Sequence, residues 1–409
     1  MKSVGIIAEY NPFHNGHLYH LNKVKEMFPN HNVVLVLSGN FLQRGEISII
    51  NKYDKTRIAL EAGIDLIVEL PFNFATQSAD IFARGAIEIL NTLKVNTLVF
   101  GSESDDITSM VELANIQLNN KEYQNIIKNL LDKGFNYPTA LSQALKKLTG
   151  TEINTPNDIL GLSYVREIIK NNYNIKPISI KRTNDYHDLD NDEDIISASN
   201  IRNKLKDNIE IEKYIPKITY KYLNKKSLFI SDYYNYLKYN IISNINNLDE
   251  YLTVDEGIDK RIKKFIYKSN SYEELIMNLK TKRYTYNKLS RMLCHILTNY
   301  KKILEFFNIS EISKKNINTI NELLNYPIPE RFKTLYDYIS QNYPVSKELI
   351  YTKFYKESVA NINSNLVLME LQNLIKLIRK RILHIYSINR NNFKSNIFIF
   401  SSLVTFPLK

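Results

Sequence analysis

SVGIIAEYNPFHNGHLYHL, from Ser3 to Leu21, passes from a β-branched apolar run through a turn into helical spacing, and it holds His14, His17 and His20. Apolar runs of the first kind recur as NVVLVLSG (32–39), DLIVEL (65–70), NTLVFGS (96–102) and IKPISIKR (175–182). Continuous runs of this length read as strands buried on both faces. Between them HLYHLNKVKEMF (17–28), NKYDKTRIALEAG (51–63) and SADIFARGAIEILNTL (78–93) repeat apolar residues at three and four, and Gly63 stands where a helix would be capped. Strand, helix and strand in alternation force parallel pairing with right-handed crossovers. The first half is therefore expected to be an α/β, Rossmann-like, doubly wound parallel sheet. Ligands of such sheets bind beyond the carboxyl ends of the strands, which is where the three histidines fall.

A chain of 409 residues with 44% hydrophobic content is long enough for two domains, each with its own core. A single cysteine, Cys294, makes no internal disulfide and reads as a small core hydrophobe, consistent with a reducing compartment. No secretory leader or membrane span is expected, so the protein is read as soluble and cytoplasmic, with no membrane partner. The net charge of +11 is unevenly placed: Met1–Leu205 carries 21 lysines and arginines against 24 acidic residues, leaving 33 against 19 beyond it. From Lys206 the strand alternation gives way to Tyr-, Lys-, Asn- and Ile-rich helical spacing. We expect a ligand-binding α/β domain over 1–205 and a mainly helical, basic domain over 206–409. Basicity confined to one half suggests a polyanion for that half, the other reading being lysines that solvate helices.

The residues after the first strand carry the chemistry. Pro12 stiffens the turn, Gly16 lets backbone approach a ligand, and His17 opens a helix whose free N–H groups favour an anion. His14 and His17 flank the glycine and are suited to stabilise charge on a departing pyrophosphate. Two other readings stay open: a metal bound by His14, His17 and His20, which the turn would splay, and plain helix capping. Further on, ISASNIR (196–202) offers Ser197, Ser199 and a helix start for phosphates, with Arg202 to offset their charge. A Ser-capped helix with no further role is the alternative.

HNGH after a first strand resembles the HxGH signature of the nucleotidyltransferase superfamily, and ISASNIR resembles its ISSTxIR element, with Ala198 and Ser199 replacing the usual Ser-Thr. AEYNPFHNGHLYHL, SGNFLQRGE (38–46), ALEAGIDLIVELPF (59–72), QSADIFARGAIEIL (77–90), FGSE (100–103), PNDILGLSYV (156–165) and Lys181-Arg182 together resemble the tRNA(Met) cytidine acetate ligase family. That resemblance implies a HUP-type fold and ATP-dependent acetylation of the wobble cytidine of elongator tRNA(Met). Acetate would be activated as acetyl-adenylate, with release of pyrophosphate and AMP. It places ATP contacts on Ile7, Ala8, Glu9, Tyr10, Asn11, Pro12, Phe13, His14, Asn15, Gly16, His17, Leu18, Tyr19 and His20, and on Gly101, Asn157 and Arg182. Taken without it, the last three read equally as a turn glycine, an N-cap and a surface arginine. Mg2+ is expected to arrive with ATP, held by phosphates and water rather than by a carboxylate cage.

GNFLQRGE adds Gln43 and Arg44, groups suited to a carboxylate or an RNA phosphate. Lys55 and Arg57 read as solvated surface. In the basic half KRYTYNKLSR (282–291) interleaves Lys282, Arg283 and Arg291 with Tyr284 and Tyr286, as binding of a single-stranded RNA loop would need, although tyrosine stripes are also common core. KLIRKR (376–381) is a second, weaker basic cluster. Two rival functions share these motifs. A small-molecule adenylyltransferase would not need the basic half, and an RNA-binding protein with a degenerate nucleotide site would not keep His14, His17, Ser197 and Arg202. DNA is not expected as a partner.

Overall fold

The computed structural model describes residues 2–182, 195–223, 227–302 and 397–399. Five strands lie where apolar runs predicted them: β1 Ser3–Ala8, β2 Asn32–Ser38, β3 Leu66–Leu70, β4 Thr97–Ser102 and β5 Lys176–Lys181. A short sixth strand, β6 Ile397–Ile399, pairs with β3, so the helical expectation for 206–409 misses one strand. All pairings are parallel, in the order β5-β4-β1-β2-β3-β6. The chain builds outward from β1 through β2 to β3, then returns to place β4 on the other side of β1. That reversal puts a crevice at the carboxyl ends of β1 and β4.

The helices follow in chain order: α1 Asn15–Met27, α2 Lys52–Glu61, α3 Phe72–Ala75, α4 Ala79–Thr92, α5 Ile107–Asn119, α6 Lys121–Asp132, α7 Tyr137–Thr149, α8 Pro156–Lys170, α9 Ala198–Lys206, α10 Lys217–Leu223, α11 Tyr234–Ser243, α12 Ile258–Phe265, α13 Tyr272–Leu279 and α14 Tyr286–Leu297. On one face of the sheet, Phe82, Ala86 and Leu90 of α4 and Leu162 and Val165 of α8 pack with Val34, Val68 and Leu98. On the other, Leu21 and Val24 of α1 and Ile58 and Ala59 of α2 pack with Ile6, Leu35 and Ile67. Burying apolar surface on both faces is what makes the strand sequences continuous rather than alternating.

The boundary expected at 205/206 shifts. Ile211, Tyr214 and Ile215 pack with Ile196 and Ile201, while Ile218, Tyr222 and Phe229 lie against the α1/α2 side of the sheet core. A separate helical core begins at Tyr234 and runs through Leu248, Ile262, Leu275 and Leu293. Lys280–Thr285 interrupts the helical spacing expected beyond Lys206, because Ser271 and Thr285 each cap a new helix. Cys294 is buried, as read. The 376–381 cluster lies outside the described residues.

Candidate active site

The segment after β1 is shaped by its own side chains. Tyr10 has a positive φ of 47°, the Asn11–Pro12 peptide is cis, and Asn11 Oδ1 accepts from the Ile49 amide at 2.8 Å. His14, not His17, is the N-cap of α1, so the helix starts earlier than read and His17 is its third residue. His14 Nδ1 accepts from the Gly16 amide at 3.0 Å, and His17 Nδ1 accepts from the His14 amide at 3.3 Å. Gly16 allows this, since a Cβ there would meet the His14 ring at 2.9 Å. Capping also sets the tautomers: two backbone donors fix both Nδ1 atoms as acceptors and leave each neutral ring its proton on Nε2. Burial holds His14 down at about 3 and His17 well below its ordinary value, with Arg182 adding repulsion to both. Both rings are thus neutral donors at physiological pH. His20, lowered to about 4 by burial, has its Nε2 buried without a hydrogen-bond partner.

A cavity of about 650 Å³ opens at the predicted crevice. Its wall includes Ile7 to Asn11, His14, Gly16, His17, Tyr19 and His20, together with Gly101, Asn157, Arg182, Ser197, Ser199 and Arg202. Pro12, Phe13, Asn15 and Leu18 do not line it: Phe13 is core, and Asn15 turns away to the Lys213 carbonyl at 2.8 Å. A Cβ on Gly101 would meet only the Arg182 side chain, at 3.5 Å, so the protein itself does not require glycine there, and the open side is the cavity.

Two arginines of the wall are held by carboxylates. Arg202 donates to the Asn11 carbonyl at 2.9 Å and pairs with Glu46 at 2.9 Å, and Arg182 faces Glu103 at 3.7 Å. Glu103 also accepts from the Asn157 side chain, and the Ser197 hydroxyl caps α9 through the Asn200 amide at 3.2 Å. Glu9 accepts from the Gln43 amide at 2.6 Å, and burial pushes its carboxyl upward. Among the described residues no cluster of three His, Cys, Asp or Glu is placed to hold a metal ion.

Lys55 overturns its reading as solvated surface. It is 1% exposed, and its ammonium donates to the carbonyls of Glu9, Ser38 and Gly39 at 2.9, 2.8 and 2.8 Å, tying the ends of β1 and β2 together. One signal was legible: Lys55 shares a helix face with Ile58 and Ala59, so a cation stood on an apolar stripe. Arg57 is exposed as expected, pairing with Asp54.

The helical half closes the cavity. Thr285, Asn287 and Arg291 line it alongside Gln43 and Arg44. The Ser290 hydroxyl bonds the Gly45 carbonyl at 3.2 Å, and Gly45, at φ +79°, lies so close to α14 that a Cβ would stand 2.4 Å from the Arg291 nitrogen. His295 Nε2 bonds the Thr76 carbonyl at 3.0 Å, a second tie between the halves. Lys282, Arg283 and Tyr286 are exposed at the start of α14. Tyr284 is not: it is 5% exposed, its hydroxyl donates to the Asp255 carbonyl, and Lys288 covers its ring, so the stacking surface expected of it is absent.

A parallel sheet reversing at β1, with a histidine-capped helix at the crevice and a second capped helix supplying an arginine, defines a nucleotidyltransferase-type site. Residues 1–327 match the family model described as HIGH Nucleotidyl Transferase. The tRNA(Met) cytidine acetate ligase of Bacillus subtilis (strain 168) is 42% identical over 320 residues, 74% of this chain and 77% of that protein. The Mycoplasma mobile ligase of the same name is 40% identical over 302 residues, 73% of this chain and all of that protein. Thermotoga maritima TmcAL bound with alpha-thio ATP superposes with a TM-score of 0.68 at 32% identity, covering 76% of this chain and 78% of that one. The chain belongs to the tRNA(Met) cytidine acetate ligase family.

Proposed function

We propose that this chain acetylates the wobble cytidine of elongator tRNA(Met), using acetate and ATP, in the cytoplasm. A carboxylate oxygen of acetate attacks the α-phosphorus, the bond from that phosphorus to the bridging oxygen breaks, and pyrophosphate leaves. The cytidine N4 amine then attacks the acetyl carbonyl, expelling AMP and losing one proton. The observation that carries the reading is the shared cavity: phosphate-type groups line it from the sheet half and α14 lines it from the basic half.

In this reading the Nε2–H of His14 and of His17 stabilise charge building on pyrophosphate, an oxyanion role that needs a neutral donor and no proton transfer. Arg202 acts with them, and Ser197 and Ser199 at the α9 start receive phosphate oxygens. Gly101, Asn157 and Arg182 hold the adenosine side. Mg2+ accompanies the phosphates and neutralises part of their charge, with phosphates and water as its main ligands. Arg44, Lys282, Arg283 and Tyr286 meet the RNA, the sheet half serving mainly catalysis and the helical core from Tyr234 onward mainly the tRNA.

The test is incubation with ATP, Mg2+, labelled acetate and elongator tRNA(Met), followed by nucleoside mass spectrometry, beside a reaction lacking acetate. Acetylcytidine formed only with acetate and ATP is expected. Pyrophosphate release without a modified nucleoside would instead indicate a small-molecule adenylyltransferase. His17→Ala is expected to abolish adenylate formation and leave RNA affinity within about twofold, since the substitution removes a neutral donor and no cation. Normal adenylation with lost RNA binding would sink the assignment.

A further inference from the structure

Arg291 differs from the other arginines of the cavity wall whose partners are described above. Arg182 and Arg202 each face a carboxylate, whereas Arg291 makes no ion pair among the described residues and donates a long bond, 3.5 Å, to the Gln43 carbonyl. Burial alone draws it down to about 10, with no acidic neighbour pulling the other way. Its backbone is packed against Gly45, and His295, one turn further along α14, is held neutral by burial, at about 4. A guanidinium partly withdrawn from water with no counter-ion beside it gains from an anion that completes the site.

We propose that Arg291 is the recognition group for the carboxylate of acetate, supplied to the catalytic cavity by the helical half. The inference rests on the ligase reading above. Guanidinium presents a planar fork that matches a carboxylate, and one carboxylate oxygen can be held while the other stays free to attack. The phosphate-type groups of the cavity come from the other side, on α1, α9 and the end of β5. Contacts that track an RNA backbone lie open to solvent, as Lys282 and Arg283 do, while Arg291 is half-buried under the 43–46 loop in the cavity wall. A small anion fits that setting and a phosphodiester chain does not.

The test uses the full chain and three variants, Arg291→Met, Arg291→Gln and Arg291→Lys, each checked for an unchanged melting profile. Acetate-dependent ATP–pyrophosphate exchange without RNA gives KM for acetate, and filter binding at fixed salt gives the RNA Kd. Expected for Met and Gln is a rise in acetate KM of about tenfold or more with RNA Kd within about twofold, and partial recovery in Lys. Weakened RNA binding with unchanged acetate KM would overturn the proposal in favour of a phosphodiester, and no change in either would overturn it outright. Line broadening of 13C-acetate by wild type, lost in Arg291→Gln, reports the subsite without turnover. A wild type that broadens acetate yet exchanges no pyrophosphate would therefore count against the ligase reading and not against the subsite.

Discussion

Replacing Lys55 by Met removes the one donor shared by three carbonyls at the ends of β1 and β2, those of Glu9, Ser38 and Gly39. Each buried acceptor left without its partner costs about 1–3 kcal/mol. Against this, methionine avoids the desolvation of an ammonium, a penalty of several kcal/mol that the wild type carries. The difference leaves an expected loss of about 2–4 kcal/mol in unfolding free energy. The same carbonyls anchor the segments that hold Glu9 and Gln43 at the cavity wall, so ATP affinity should fall by roughly tenfold as those segments loosen. Urea unfolding and ATP titration of Lys55→Met measure the two effects, with Arg57→Met as control. Arg57 pairs on the surface with Asp54 and should stay within about 0.5 kcal/mol of wild type. A Lys55→Met protein that loses less than about 1 kcal/mol and binds ATP normally would refute the argument, since it would mean the three carbonyls need no common donor.

Burial holds His14 at about 3 and His20 and His295 at about 4, so the unfolded chain binds protons that the folded chain does not as pH drops below about 6.5. Their lowered values make stability full above that point and declining toward the folded values, by about 1.4 kcal/mol per histidine at pH 5.5, and unfolding at pH 7.5 and 5.5 checks it. Gly45→Ala places a methyl 2.4 Å from the Arg291 nitrogen at a φ of +79°, so the 43–46 loop should lift from α14 at a cost of roughly 2 kcal/mol. Hydrogen exchange should speed up at the Gly45 and Arg291 amides, and unchanged protection there would refute the contact. Tyr284→Phe should lose about 1 kcal/mol of stability with RNA affinity intact, while Tyr286→Ala should do the opposite; filter binding separates them, and equal loss of RNA affinity would restore Tyr284 to the interface.

The sheet was legible because its strands are buried on both faces and so write uninterrupted apolar runs, each bounded by turn residues. β6 was not, since three residues late in a lysine- and asparagine-rich tail carry no period. The cavity position of His14 and Arg202 was legible from local motifs in which residue type and spacing carry the chemistry. What escaped is set by contacts between residues far apart in the chain. Lys55 carries only the hint of an apolar helix face until Ser38, Gly39 and Glu9 converge on it. Tyr284 shares the alternating pattern of Tyr286, and only the Asp255 carbonyl and the Lys288 side chain decide that one ring is inside and the other out. Arg291 shows the same limit, for a basic cluster has no direction until α14 is docked against Gly45.

The resting cavity also explains why its cations do not collapse onto one another or bind anions indiscriminately. Glu46 and Glu103 neutralise Arg202 and Arg182 in place, and the Asn11 carbonyl holds one guanidinium nitrogen of Arg202 while the other meets Glu46. A polyanion that brings several phosphate oxygens at once can compete with such pairs; a lone small anion gains little by doing so. The two neutral histidines add donors without adding charge, which spares the site the repulsion a pair of imidazoliums 3.8 Å apart would bring. Selectivity between substrates then follows from where charge is left uncompensated. Arg202 and Arg182 are each balanced by a carboxylate, while on α14 the Arg291 guanidinium has no carboxylate partner among the described residues.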